Sequence, residues 1–252
     1  MAELEGKTIH SVAKAICLLD VLAENHKPMS LTELYQQTEW PKSTIHGLLS
    51  TMRESGLIEQ TENGRYWLGI RLFEYGCAVS GAWDIAAVAK PYMQSVCETL
   101  GESVFLSVLD RGNVVTLAEE ESRADVRVVS EVGARLPIHC TSQGKLFLAH
   151  VSQAECRRIL TRAPLQAFTA HTLTSLAALT PELNRIRTQG YAVERGEYKA
   201  GLRSVCAPVY DAGGEVRYAV GCIGLYGDDE AEAVRQLCRA GEAISRAIGY
   251  KG

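Results

Sequence analysis

Apolar residues recur at helical spacing through the first seventy positions, and the breaks between them outline helix, helix, helix, hairpin. Val12, Ala15, Ile16, Leu19 and Leu22 mark the first stripe, with Ser11 as its expected cap and Lys27-Pro28 as its end. Ser30-Leu31-Thr32-Glu33 is a capping box, in which Ser30 and Glu33 satisfy each other's orphan amides at the head of a short helix carrying Leu31, Leu34 and Tyr35. A break at Thr38-Glu39-Trp40-Pro41 precedes a third helix with Ile45, Leu48, Leu49 and Met52 on one face and Gly56 as its stop. Two short apolar runs, Leu57-Ile58-Glu59 and Tyr66-Trp67-Leu68, then flank Asn63-Gly64, the strongest short-range hairpin signal.

The pattern is helical again over 70–80, until Gly81 breaks it. Asp84 is the expected cap of a further helix running to Leu100 and closed by Gly101, with Pro91 either kinking it or marking its true start. Beyond that point the texture changes to α+β. Strands are expected over 104–109 and 114–118, around Arg111-Gly112-Asn113, and over 127–132. Helices are expected over 142–149 and 152–160, the second opened by Ser152 and Glu155 as a capping box. Thr180-Pro181 should start another, stopped by Gly190. Strands over 191–194, 205–210 and 216–225 follow, then a C-terminal amphipathic helix with Val234, Leu237, Gly241, Ile244 and Ile248 on one stripe.

Composition narrows the classes. A chain of 252 residues, 46% hydrophobic and 22% charged, has room for one large or two ordinary domains and is neither disordered nor a coiled-coil rod. No apolar run approaches the ~18 residues of a membrane span, and the N-terminus has no secretory signal pattern, so a cytoplasmic protein without membrane partners is expected. The eight cysteines include no C-x-x-C or zinc-knuckle spacing. They are expected to be reduced thiols acting as small hydrophobes, with no metal site and no cofactor. The net charge of −4 requires any positive surface for nucleic acid to be local.

Such a local surface is present. Two helices joined by a tight turn and followed by a hairpin describe a winged helix-turn-helix. Opposite its apolar face the third helix presents Ser43, His46, Gly47, Ser50 and Arg53, with Lys42 and Thr44 at its start. Small polar side chains allow close approach to base edges, and Arg and His supply donors. No acidic residue lies between Glu39 and Glu54. Arg65, just after the hairpin turn, is placed for a phosphate or minor-groove contact from a wing. The plain alternative is a small helical bundle with a polar third helix.

The wording of these segments resembles the IclR family of bacterial transcriptional regulators. Pro41-Lys42-Ser43-Thr44-Ile45-His46-Gly47-Leu48-Leu49, then Gly56-Leu57-Ile58 and Gly64-Arg65-Tyr66-Trp67-Leu68-Gly69, are similar to the family's P-K-S-T-x-x-R-L-L, G-L-(L/I) and G-x-Y-x-L-G. In the second half, Leu136-Pro137-Ile138-His139-Cys140-Thr141-Ser142-Gln143-Gly144-Lys145 is similar to L-P-x-H-x-(T/S)-x-x-G-K. Gly190-Tyr191-Ala192-Val193 through Glu197, and Gly201-Leu202-Arg203-Ser204, follow in the family's order. One departure is Gly47, where the family commonly has Arg.

The resemblance implies an α+β fold with three parts: a winged helix-turn-helix DNA-binding domain at 9–70, a linking helix at 71–83, and a GAF-like effector-binding domain at 84–252. It also implies double-stranded operator DNA as partner and a homodimer, or a dimer of dimers. Carried onto matching positions, the family's effector contacts fall on Ser142, Gln143, Gly144, Glu194, Leu202, Ser204, Gly221 and Ile223. The residues themselves add that Ser142, Gln143 and Gly144 stand at a helix start, where free amides and the dipole favour a carboxylate, although an ordinary capped helix start reads the same way. Glu194 is either a hydrogen-bond acceptor for a ligand hydroxyl or a solvated charge at a strand end. With Gly221 and Ile223 where small-acid binders often carry Ser-x-Ser, the pocket is expected to be larger and less polar on that side. A sugar acid or aromatic acid is the expected effector of a repressor of a catabolic operon.

Enzymatic signals are weak by comparison. Ser142-Gln143-Gly144-Lys145 matches S-x-x-K without S-D-N or K-T-G, and the run 221–227 lacks a G-x-G start. His139 and Cys140, adjacent on an expected strand, would point to opposite faces. No catalytic residue is therefore assigned. The alternative class is a metabolite-binding or catalytic protein whose N-terminal bundle only dimerises.

Overall fold

The computed structural model describes residues 9–82, 85–123, 131–162, 165–225 and 229–252, and its chain separates into two compact units, 1–83 and 84–252. In the first unit, α1 (His10–Asn25), α2 (Leu31–Thr38) and α3 (Lys42–Glu54) are followed by β1 (Ile58–Gln60), β2 (Tyr66–Leu68) and α4 (Ile70–Ala82). Leu18 and Leu22, Leu34, and Ile45, Leu49 and Met52 meet in one core with Met29, Ile58 and Tyr66. Helix α1 begins two residues earlier than its pattern suggested, with Ile9 rather than Ser11 at the cap position and no side-chain cap bond. Its stripe is also rotated: Leu18 is buried, whereas Val12 and Ile16 are 54% and 53% exposed.

The capping box at α2 forms as read, with Glu33 N–H donating to Ser30 Oγ and Ser30 N–H donating to Glu33 Oε2. Three residues, Glu39 to Pro41, then turn the chain into α3, and Glu39 takes the left-handed conformation. The hairpin pairs Ile58 with Leu68 and Gln60 with Tyr66. Its turn is longer than two residues: Gly64 alone has positive φ, and its amide donates to Thr61 O.

In the second unit a six-stranded antiparallel sheet runs β5-β4-β3-β8-β7-β6. Its strands are β3 (Ser103–Asp110), β4 (Asn113–Glu120), β5 (Arg135–Leu136), β6 (Ala192–Arg195), β7 (Leu202–Tyr210) and β8 (Val216–Leu225). Period-two alternation sends Val104 and Leu106, Val205 and Ala207, and Val220 and Cys222 to one face. There they pack against α5 (Ile85–Leu100) and α9 (Glu230–Ala247). The opposite face, with Cys206 and Ala219, is covered by α6 (Ser142–His150), α7 (Gln153–Arg162) and α8 (Leu176–Gln189).

Several expectations shift. Pro91 lies inside α5, while the expected cap Asp84 falls outside the described residues. Of the strand expected over 127–132, 127–130 fall outside the described residues, Val132 lies in a turn, and pairing resumes at Arg135–Leu136. Helix α8 starts at Leu176, because Ser175 Oγ accepts the Ala178 amide, and Pro181 sits within it. No described helix is long and apolar enough to cross a membrane.

Candidate nucleic-acid interface and ligand pocket

Burial of Ile45, Leu49 and Met52 turns the other side of α3 outward. Lys42, Ser43, His46, Gly47 and Arg53 are exposed, and Thr44 and Ser50 are half-buried. Lys42 Nζ donates to Thr32 Oγ1 at 3.3 Å and stands 5.7 Å from the Tyr35 ring centroid, so α2 orients it. Arg53 Nη1 donates to Gln60 Oε1 at 2.6 Å, which ties the end of α3 to β1. A Cβ at Gly47 would meet nothing within 4 Å.

Arg65 is bonded within its own unit. Its Nε donates to Pro28 O at 2.9 Å, and Nη2 lies 2.7 Å from both carboxylate oxygens of Glu33. The Ser30 amide and hydroxyl, and then Arg65, hold the Glu33 carboxyl at about 2, below its usual 4.5. Arg65 thus braces the hairpin against the head of α2, with its side chain 41% exposed.

The sheet face under α6 builds the second candidate site. Registers align Glu194 with Ser204 and Ser204 with Ile223, while Phe105 is paired with Gly221. Together with Leu136, Leu202, Thr141 and Gln143, Glu194, Ser204, Ile223 and Phe105 line a cavity of ≈ 290 Å³. Ser204 Oγ donates to Ser142 Oγ at 2.8 Å and lies 3.3 Å from Glu194 Oε2, and Ser142 Oγ lies 3.3 Å from Gln143 Oε1. A polar row thus crosses from α6 to β6.

Glu194 is not a solvated charge. It is 3% exposed, and its Oε1 accepts the amides of Glu197 and, at 3.1 Å, Tyr198. Burial pushes its carboxyl above the usual range, against the pull of those amides. Of the eight expected contacts, Gln143, Glu194, Leu202, Ser204 and Ile223 border the cavity. Ser142 stands behind it, bonded to Ser204. Gly144 is pressed against the Ile138 backbone, where a Cβ would lie 2.1 Å from the carbonyl oxygen.

Gly221 does not open space. A Cβ there would lie 2.6 Å from Cε2 and Cζ of Phe105, so the ring fills the volume expected to be vacant. Phe105, Glu131, Tyr198 and Lys199 were not anticipated from the sequence. An apolar position alternating on β3 was the only available signal for Phe105.

Lys145 of the S-x-x-K segment is 1% exposed, with Nζ 2.5 Å from Glu197 Oε1, 3.3 Å from Glu182 Oε1 and 2.8 Å from Val193 O. Its side chain is thus directed at β6, α8 and the 195–198 turn. His139 and Cys140 lie in a bend, not a strand, and both are buried. His139 Nε2 lies 2.9 Å from Gln166 O, and burial, with Glu197 and Glu194 nearby, pushes the Cys140 thiol up to about 12. A thiol so protonated is a poor nucleophile.

Residues 77–246 match the model of the bacterial transcriptional regulator IclR C-terminal domain, and residues 11–62 match the IclR helix-turn-helix domain. The chain is 35% identical to the HTH-type transcriptional regulator XynR of Escherichia coli K12, over 96% of this chain and 98% of that one. It is 29% identical to the transcriptional repressor IclR of the same organism, over 96% of this chain and 90% of that one. Among solved structures, an IclR homologue from Microbacterium hydrocarbonoxydans complexed with 4-hydroxybenzoate superimposes with a TM-score of 0.85 at 25% identity, covering 94% of this chain and 98% of that one.

Proposed function

The chain belongs to the IclR family of bacterial transcriptional regulators, and we propose that it is an operator-bound repressor of a catabolic operon, controlled by a small organic acid. In this reading 9–70 bind DNA, 71–83 form the linking helix and 84–252 bind the effector. The observation that carries the effector half is the row Gln143–Ser142–Ser204–Glu194 opening on a cavity walled by Phe105, Leu136, Leu202 and Ile223. Polar groups on one side and apolar walls on the other suit a hydroxylated acid with a partly apolar body. The aromatic acid held by the Microbacterium homologue supports a ligand of that class.

The DNA half rests on the outer face of α3, which carries no acid before its last residue, Glu54, and where Lys42, Ser43, Thr44, His46, Ser50 and Arg53 meet the groove. Ile9, Val12, Ile16, Ile70 and Phe73 leave apolar side chains exposed on or beside α1 and α4. A second copy of the chain covers them, giving a homodimer on an inverted repeat. Leu72 on α4 is half-buried, whereas Ile70, Phe73 and Tyr75 form that helix's exposed apolar surface. A gel-shift and footprint on the gene's own upstream region test this half. A symmetric footprint with half-sites about one helical turn or a multiple apart is expected. No retardation of any upstream fragment would leave the N-terminal unit as a dimerisation module only.

A further inference from the structure

The charges around the cavity are unevenly placed. Among the described residues lining it, Glu131 and Glu194 are carboxylates and Lys199 is the one cation. Glu194 is buried and fixed by the amides of Glu197 and Tyr198. An organic anion set beside it would meet a like charge where water screens little. The hydroxyl of Thr141, at the start of α6, is also engaged: it donates to Pro137 O at 2.7 Å and accepts the Gly144 amide at 3.2 Å.

Lys199 offers the opposite environment. It is exposed, its ammonium lies 5.9 Å from the Tyr198 ring centroid, and among the described residues it has no carboxylate partner. The Tyr198 ring is itself held edge-on by Phe168 at 5.1 Å. The lysine therefore lies along an anchored ring at the cavity's edge, with its charge unneutralised.

We propose that Lys199 is a specificity-determining residue that holds the effector's carboxylate, so that the acid enters with its hydroxyl inward. This rests on the reading of the cavity as the effector site. The hydroxyl end then reaches Ser204 and Glu194, where a buried carboxylate accepts rather than repels, and the body lies over Phe105, Leu202 and Ile223. An acid with its carboxylate and its hydroxyl at opposite ends of a flat apolar body meets all three demands. Para-hydroxylated aromatic acids are that chemical class.

The test is calorimetric titration of the full chain with 4-hydroxybenzoate and with its uncharged analogue 4-hydroxybenzamide, for the parent, Lys199→Met and Lys199→Arg. The parent should prefer the acid by about tenfold or more, Lys199→Met should bring the two ligands to within about twofold, and Lys199→Arg should keep most of the preference. Thermal melting of Lys199→Met should match the parent, because the side chain is exposed. If Lys199→Met binds acid over amide as the parent does, the carboxylate is held elsewhere and this inference fails while the cavity reading stands. Equal weakening toward both ligands would make Lys199 structural and overturn it. A parent that binds neither ligand overturns the aromatic-acid reading of the cavity and this inference with it.

Discussion

The ring of Phe105 lies across Gly221 on the neighbouring strand, close enough that a Cβ at 221 would stand 2.6 Å from two ring atoms and 2.6 Å from Val205 O. The missing side chain is thus replaced by a ring from β3, and the wall it makes is aromatic rather than absent. Gly221→Ala should cost about 1–3 kcal/mol in chemical denaturation, because both neighbours are fixed and the site is already filled. Phe105→Leu in the same chain should recover part of that loss. An alanine tolerated without cost would mean that the ring moves freely.

Arg65 and Glu33 predict a separation of stability from DNA binding. Arg65→Ala should destabilise the N-terminal unit and leave the salt slope of operator binding unchanged, whereas Arg53→Ala should reduce that slope by ~0.9 if it neutralises one phosphate. The Glu33 carboxyl is held at about 2, below its usual 4.5. A lowered folded-state value stabilises fully above the unfolded value, and that contribution is lost as pH falls from about 5 through 2. Glu33→Gln should therefore flatten the acid limb of the stability profile. A salt slope that falls in Arg65→Ala would return this residue to the interface.

Gly47 sits mid-helix with open space where a side chain would go. Gly47→Ala should raise stability by about 1 kcal/mol, the helix-propensity difference, measured by denaturant melt. Gly47→Arg should fold normally and steepen the salt dependence of DNA binding by ~0.9 if it adds one phosphate contact. Loss of all DNA binding in both variants would show that the helix approaches too closely for any side chain there.

The Lys145 ammonium holds Glu197, Glu182 and the Val193 carbonyl together. Glu197 Oε2 has no hydrogen-bond partner, so the pair already contains one buried orphan among the described residues. Lys145→Met would leave the Glu197 carboxylate uncompensated and should cost about 3–5 kcal/mol. Removing the charge from both sides, Lys145→Met with Glu197→Gln, should recover part of the loss. Additive losses in the double variant would contradict this account of the pair.

What the sequence made legible was local. Ser30 and Glu33 sit three apart at a helix head, and their bonds depend on nothing distant. Ile45, Leu49 and Met52 repeat on one face because that helix has a single core side. Misreadings came where tertiary context decides. Ser11 lost its cap role because the helix starts two residues earlier, and Thr180-Pro181 misled because Ser175 caps first. Glu194 and Ser204 were placed by resemblance. The Phe105 wall and the Arg65 brace arise from residues more than thirty positions apart, which no local pattern records. Lys199 had no signal at all, since an exposed lysine in a loop looks like any other.

The most direct measurement of the central claim is operator affinity by fluorescence anisotropy, with and without saturating 4-hydroxybenzoate, for the parent and Ser204→Ala. An acid that binds the free and DNA-bound forms unequally must shift operator affinity by the same factor. The account predicts that the acid weakens the parent's operator binding and that Ser204→Ala needs about tenfold more acid for the same effect. Operator affinity unchanged by an acid that calorimetry shows to be bound, or an identical acid response in Ser204→Ala, would contradict it.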